Sequence, residues 1–204
     1  MNSISKIAAL VAVSSTVAFA QQGEAVSAQE VQTGGLISKK YVTSGFNYVD
    51  AKDSATDARF VDLTVNVPLN TYVDIKSTFT HVWQEAASNV NDQYLDVNAV
   101  SYITEGSVKP FVQAGLGYLW TARNDEGLRW NAGVGVEYTL CQKTALTLSG
   151  NYTDGFRRRT QDDDEFTGTA ALNFWATKNV VIAAGATWYE QGTVSYGLSA
   201  GLKF

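Results

Sequence analysis

From Lys39 to the last residue, apolar side chains recur at every second position, and this alternation limits what the chain can become. Period two is the spacing of a strand whose two faces meet different surroundings. The closing stretch shows it best: Val194, Tyr196, Leu198, Ala200, Leu202 and Phe204 share one face, while Ser195, Gly197, Ser199, Gly201 and Lys203 share the other. No run of 3.6-residue periodicity interrupts the pattern, so the body is read as all-β. A strand that runs to the last residue and stops on an aromatic needs a partner there, because unpaired termini fray.

The alternation divides into ten predicted strands at 40–50, 58–67, 72–84, 93–103, 110–121, 127–140, 145–155, 165–176, 180–190 and 194–204, with an eight-strand count as the alternative. Most have the length of about 9–11 residues that a tilted membrane-crossing strand needs. An even number brings both ends of an up-and-down antiparallel sheet to one side. Short turns are then expected at 68–71, 104–109, 141–144 and 177–179, on the side of the termini. The connections 51–57, 85–92, 122–126, 156–164 and 191–192 fall on the other side; most are longer, and all but the last carry charge.

Residues ahead of the strands have a different character. Met1 to Ala20 holds Lys6 as its only charged side chain, then the apolar run Ile7–Val13, then Ala18-Phe19-Ala20, the order of a secretory signal peptide cleaved near Ala20. The run is too short to span a bilayer as a helix, which takes roughly 20 apolar residues. Residues 21–38 are polar, Gln-rich and aperiodic, and are read as a flexible periplasmic lead-in, with 39–204 forming the barrel domain. Removing Lys6 leaves 14 basic against 20 acidic side chains, a charge near −6, which argues against nucleic acid as a partner. Cys141 is the single cysteine, so no intramolecular disulfide supports the fold.

Two barrels fit alternation of this kind: a soluble one with its apolar face inside, and a membrane one with its apolar face outside. Face composition favours the second. The polar face carries Asp62, Asp74, Lys76, Asp96, Arg129 and Glu137, charges of both signs that a soluble ligand cavity would avoid. On the apolar face, Tyr48, Trp83, Trp120, Trp130, Tyr152, Phe166, Trp188 and Tyr196 gather at one end of the strands, and Tyr138, Phe174 and Phe204 at the other. Rings with an apolar body and a polar edge settle at the two membrane interfaces as girdles. A soluble barrel ringed with tryptophan would aggregate.

The stretches Lys109-Pro110-Phe111-Val112-Gln113-Ala114-Gly115-Leu116-Gly117-Tyr118 and Trp130-Asn131-Ala132-Gly133-Val134-Gly135-Val136-Glu137-Tyr138, with the terminal Phe204, resemble the small Gram-negative outer-membrane β-barrel proteins of the OmpA, OmpX and opacity-protein group. The likeness covers most of the chain after the leader. It implies an outer-membrane location, a monomer, contact with membrane lipid and lipopolysaccharide, and handling by periplasmic chaperones. It also implies that Tyr196, Leu202 and Phe204 form a signal read by the barrel assembly machinery. The familiar small members have eight strands, where ten are counted here.

Catalytic chemistry is sparse. Gly115-x-Gly117 and Gly133-x-Gly135 lie inside strands and open no helix, so they are read as small inward residues and not as a phosphate loop. His81, the only histidine, has outward parity near one rim, and neither a Gly-x-Ser-x-Gly elbow nor a metal-spaced His pair accompanies it. No cofactor, metal or catalytic residue is assigned. The lumenal charges have two readings, a salt-bridged plug or a narrow ion path, since an unpaired charge in a dry lumen costs roughly several kcal/mol. Arg157-Arg158-Arg159 and Asp162-Asp163-Asp164-Glu165 form either a solvated hairpin tip or a site for lipopolysaccharide phosphates. A structural or surface role without catalysis is expected, with a narrow porin-like channel as the alternative and an outer-rim hydrolase third.

Overall fold

The computed structural model describes residues 34–50, 58–84, 90–103, 106–121, 126–156, 164–190 and 192–204. The leader at 1–20, residues 21–33 and the Arg157–Asp163 loop lie outside the described residues. The strands are β1 Tyr41–Asp50, β2 Ala58–Pro68, β3 Val73–Gln84, β4 Val90–Tyr102, β5 Val108–Trp120, β6 Gly127–Cys141, β7 Thr144–Gly155, β8 Glu165–Trp175, β9 Val180–Tyr189 and β10 Val194–Lys203. Each pairs antiparallel with its sequence neighbours, and β1 pairs with β10, closing the sheet into a ten-stranded barrel. The eight-strand alternative is thereby set aside.

Closure rests on the terminal strand. Ten residue pairs join β1 to β10, from Tyr41 with Lys203 to Asp50 with Val194, so the chain end is paired over its whole length. Beyond it, the Phe204 N–H donates to the Lys40 carbonyl at 3.4 Å, and the Lys203 N–H donates to Asn179 at 2.8 Å. No strand is left with an open edge.

The register carries the alternation around the barrel. Asp62 lies opposite Thr80, Thr78 opposite Asp96, and Gly117 opposite both Asp96 and Arg129, so the polar sets of successive strands share one surface. That surface is the inside. Glu137 and Asp74 are 1% and 2% exposed, whereas Leu198 and Val134 on the other face are 68% and 63% exposed. Polar residues inside and large apolar residues outside invert the distribution of a soluble protein and match that of a membrane barrel.

Several boundaries differ from the sequence reading. β4 begins at Val90, three residues early, because Asn91, Asp92 and Gln93 pair with Trp83, Val82 and His81 although they lack an apolar alternation. β5 begins at Val108, which places Pro110 inside a strand opposite Val136. The missing N–H is tolerated there because it falls near the strand end. The β6–β7 connection is only Gln142-Lys143, with the register shifting between Thr139 and Cys141 so that Leu140 is an extra residue. Such a bulge re-aims the strand at its rim.

The short turns are held by their own side chains. In the β8–β9 turn the Thr177 hydroxyl accepts from the Asn179 and Val180 N–H groups at 3.2 and 3.0 Å. In the β2–β3 turn the Asn70 side chain accepts from the Tyr72 N–H at 2.8 Å. Thr177→Ala, which leaves two amides to water, is expected to destabilise the barrel by about 1 kcal/mol, read from urea unfolding in micelles; an unchanged midpoint would show the turn to be set by its backbone alone.

Candidate functional site in the barrel lumen

All six charged residues singled out in the sequence face the lumen, but they divide into separate groups. Arg129 and Asp96 pair with each other: Arg129 Nε donates to Asp96 Oδ1 at 3.0 Å, and a second bond joins Arg129 NH2 to Asp96 Oδ2. The guanidinium also lies 4.4 Å from the centre of the Tyr94 ring. The hydrogen bonds of the other four go to neutral groups. Lys76 donates to Gln113 at 3.0 Å, and Gln113 donates on to Asn151 at 3.1 Å. Asp62 accepts from the Asn47 amide at 2.8 Å.

Asp74 and Glu137 serve a different purpose, which the sequence reading did not anticipate. Residues Gly34–Ser38, the end of the stretch read as a lead-in, fold into the lumen at the end bearing the termini and the short turns. Glu137 Oε2 accepts from the Leu36 and Ile37 N–H groups at 2.6 and 3.3 Å. Asp74 accepts from the Ser38 N–H at 3.0 Å, from the Asn66 amide at 2.8 Å and from the Tyr102 hydroxyl at 2.7 Å. Trp175 Nε1 donates to the Gly35 carbonyl at 3.3 Å, and the Lys39 ammonium lies 4.5 Å from the centre of the Trp175 ring. The segment's first three amides after the glycines thus end on two carboxylates. Hydrogen bonds to a charged acceptor are about twice as strong as neutral ones.

Packing completes the stopper. Ile37 joins Val100, Tyr102 and Phe111 in a buried apolar cluster inside the barrel. A Cβ at Gly35 would fall on the Glu137 carboxylate, and one at Gly34 on the Thr144 backbone. Only glycine permits this approach. Ser38 has φ of +65°, the left-handed turn that redirects the chain from the lumen into β1. Inward-facing Tyr41, Tyr102, Phe111 and Trp175 form the wall around it, and their inward parity was readable in the sequence. So was the Leu36-Ile37 pair, an apolar step in a polar stretch.

Above the stopper the lumen is lopsided. β3 to β6 project Lys76, Asp96, Gln113 and Arg129 inward, whereas β8 to β10 project Thr169, Ala171, Ala183, Gly185, Gly197 and Ser199. A cavity of about 150 Å³ lies along this small-residue wall, with Asn47 and Asp62 facing it.

The aromatic residues expected at the interfaces stand on the outer surface. Tyr48, Trp83, Phe166, Trp188 and Tyr196 are exposed towards the long-connection end, and Tyr138, Phe174 and Phe204 towards the other. Trp120, Trp130 and Tyr152 are half-buried on the same face, the last two in ring contact at 5.5 Å. Leu202 is exposed below Tyr196 on the closing strand. His81 lies on the outer wall, edge-to-face with Trp83 at 4.4 Å and away from the lumenal carboxylates. Cys141 is exposed at the β6–β7 turn.

No protein-family model matches the chain, and no curated protein does. Solved structures do. An outer-membrane channel from Pseudomonas putida F1 is similar at 10% identity over 88% of this chain and 100% of that one, with a TM-score of 0.51. The KdgM porin in complex with disordered oligogalacturonate has 10% identity over 79% and 99% of the two chains, TM-score 0.46. OprG from Pseudomonas aeruginosa has 14% identity over 86% and 99%, TM-score 0.43. At these identities the likeness is one of fold, carried by the first: this is an outer-membrane β-barrel fold.

The stopper gives a direct expectation for amide exchange. In Glu137→Ala, the Leu36 and Ile37 amides should exchange at least about tenfold faster than in the wild type, as loss of a charge-assisted bond requires. Ser38, bonded to Asp74, should change less. Equal protection of all three amides in both proteins would show that Glu137 does not hold the segment.

Proposed function

We propose that this chain is an integral outer-membrane barrel of a Gram-negative bacterium with a structural or surface role and no catalysis, its lumen stoppered by its own Gly34–Ser38. The observation that carries the reading is the seating of three successive backbone amides on Glu137 and Asp74, both almost wholly buried. A lumen used for solute flow would leave such carboxylates to water; here they hold the chain across the mouth. Among the described residues His81 stands on the outer wall against Trp83, on the face opposite Asp62, Asp74, Asp96 and Glu137, which supports a non-catalytic role.

Insertion follows from the two surfaces. The apolar outer belt replaces water with hydrocarbon, the aromatic rows fix the depth, and closure satisfies the strand hydrogen bonds without solvent. Membrane lipid is the main partner in this reading, with lipopolysaccharide on the outer side. Periplasmic chaperones and the assembly machinery act during biogenesis, the latter reading Tyr196, Leu202 and Phe204 on β10, and the inserted protein is a monomer.

A second reading, a narrow channel for ions or small solutes, is favoured by the cavity beside β8 to β10. Planar-bilayer recording on the refolded chain separates the two. The stoppered barrel should be silent at every applied potential, and Gly35→Ala, whose added carbon meets Glu137, should give openings. Regular openings by the wild type would favour the channel, and Ala183→Leu, which fills the cavity, should then lower them. Heat-modifiable migration in detergent gels is expected in either case; a monomer fully soluble without detergent would remove both readings.

A further inference from the structure

The outer wall of β1 to β4 carries a feature that insertion alone does not need. Among the described strand residues, Arg59 is the one cationic side chain at an outward-facing position, and it is exposed. Its register places it between two rings of the aromatic row: Tyr48 on β1 and Trp83 on β3 lie directly across from it. Asn91, exposed on β4, lies across from Trp83. One outward position further along β3 towards the middle of the wall is His81, its ring 4.4 Å from that of Trp83, with Gln93 across from it on β4. Directly opposed residues on one sheet face have Cβ atoms about 5 Å apart, so these six side chains form a single patch.

Apart from Asp50 on β1 and Asp154 on β7, the other described outward strand positions are apolar or small. A guanidinium, an imidazole and two amides at the level of the ring girdle therefore mark where the wall meets something other than hydrocarbon or plain water. Arginine suits phosphate because its planar fork gives two parallel N–H bonds, and its five donors let it keep a neighbour as well. Trp83 and Tyr48 flank that fork with ring edges and polar groups suited to a headgroup. His81 and Gln93, one step deeper, lie at the level of acyl carbonyls, which accept hydrogen bonds. Among the described residues, the one acid beside the patch is Asp50, at the end of β1 and next outward after Tyr48. It lies further towards the long connections than Arg59, so it does not come between Arg59 and the bilayer.

We infer that Arg59, His81, Trp83 and Gln93 form an external binding site for the phosphate and adjacent acyl carbonyls of an outer-leaflet lipid A. The inference rests on the membrane reading above, and it commits to that lipid because the patch lies at the long-connection end, opposite the termini. The phosphate takes the Arg59 fork, and the lipid's acyl chains continue down the apolar wall formed by Val61, Phe79 and Leu95.

Native mass spectrometry of the micelle-released barrel, titrated with diphosphoryl lipid A, tests the site. Arg59→Gln should lower lipid retention about tenfold, Arg59→Lys less, and Asp154→Asn, an outward acid on β7, not at all. His81→Ala should weaken the diphosphoryl and the dephosphorylated lipid alike, as a carbonyl contact would. Equal retention by wild type and Arg59→Gln, both heat-modifiable, would overturn the site while leaving the membrane barrel standing. Displacement of the lipid by inorganic phosphate alone would also overturn it, since the ligand would then be a free anion. A wild-type chain without heat-modifiable migration would remove the barrel reading and the site together.

Discussion

Everything in this molecule depends on the pairing of β1 with β10. A backbone that crosses hydrocarbon finds no water for its amides, so an open sheet would leave two rows of N–H and C=O groups unsatisfied, at several kcal/mol each. Ten residue pairs between Tyr41–Asp50 and Val194–Lys203 remove both rows at once. The outer apolar belt, the lumen and the girdle levels have meaning only once that seam is shut. It is also why β10 keeps strict alternation through to Leu202 and Phe204.

Within the closed wall, the lumenal charges illustrate how differently one residue type can be used. Asp96 balances Arg129 side chain to side chain, whereas Glu137 and Asp74 take backbone amides from a different part of the chain. The second arrangement is well suited to a narrow space. An N–H group brings a partial positive charge without a long side chain, and three of them come from consecutive residues. Glu137 lies opposite Lys109 on β5, itself 4% exposed, so the mouth also holds cationic charge close to the carboxylate.

The barrel was legible from the sequence because its physics is repetitive. Period-two alternation repeats over ten strands, with turn residues at the connections between them and rings at both levels, so errors at single boundaries such as Val90 or Pro110 did not disturb the count. The polarity of Asp62, Asp74, Lys76, Asp96, Arg129 and Glu137 fixed which way they point. Their partners were not legible, because a partner such as Asn66 for Asp74 or Gln113 for Lys76 depends on the height reached by side chains across a curved wall. Gly34–Ser38 escaped for a different reason. It has no period, and its bonds to Glu137 and Asp74 join positions 101 and 36 residues apart, which no local pattern records.

Those separations bear on the order of assembly. Gly34–Ser38 leaves the ribosome before any strand, yet its acceptors lie on β3 and β6 and its wall on β1, β4, β5 and β8, and the hydrogen bond from Trp175 spans 140 residues. Local hairpins close early because their loops are short, and contacts of long sequence separation come late. The first-made piece thus waits for strands made well after it, and finds its place only once β3, β6 and β8 have come together. A seated Gly35 beside Glu137 is then a mark, written into the molecule itself, that strands far apart in the chain have already met.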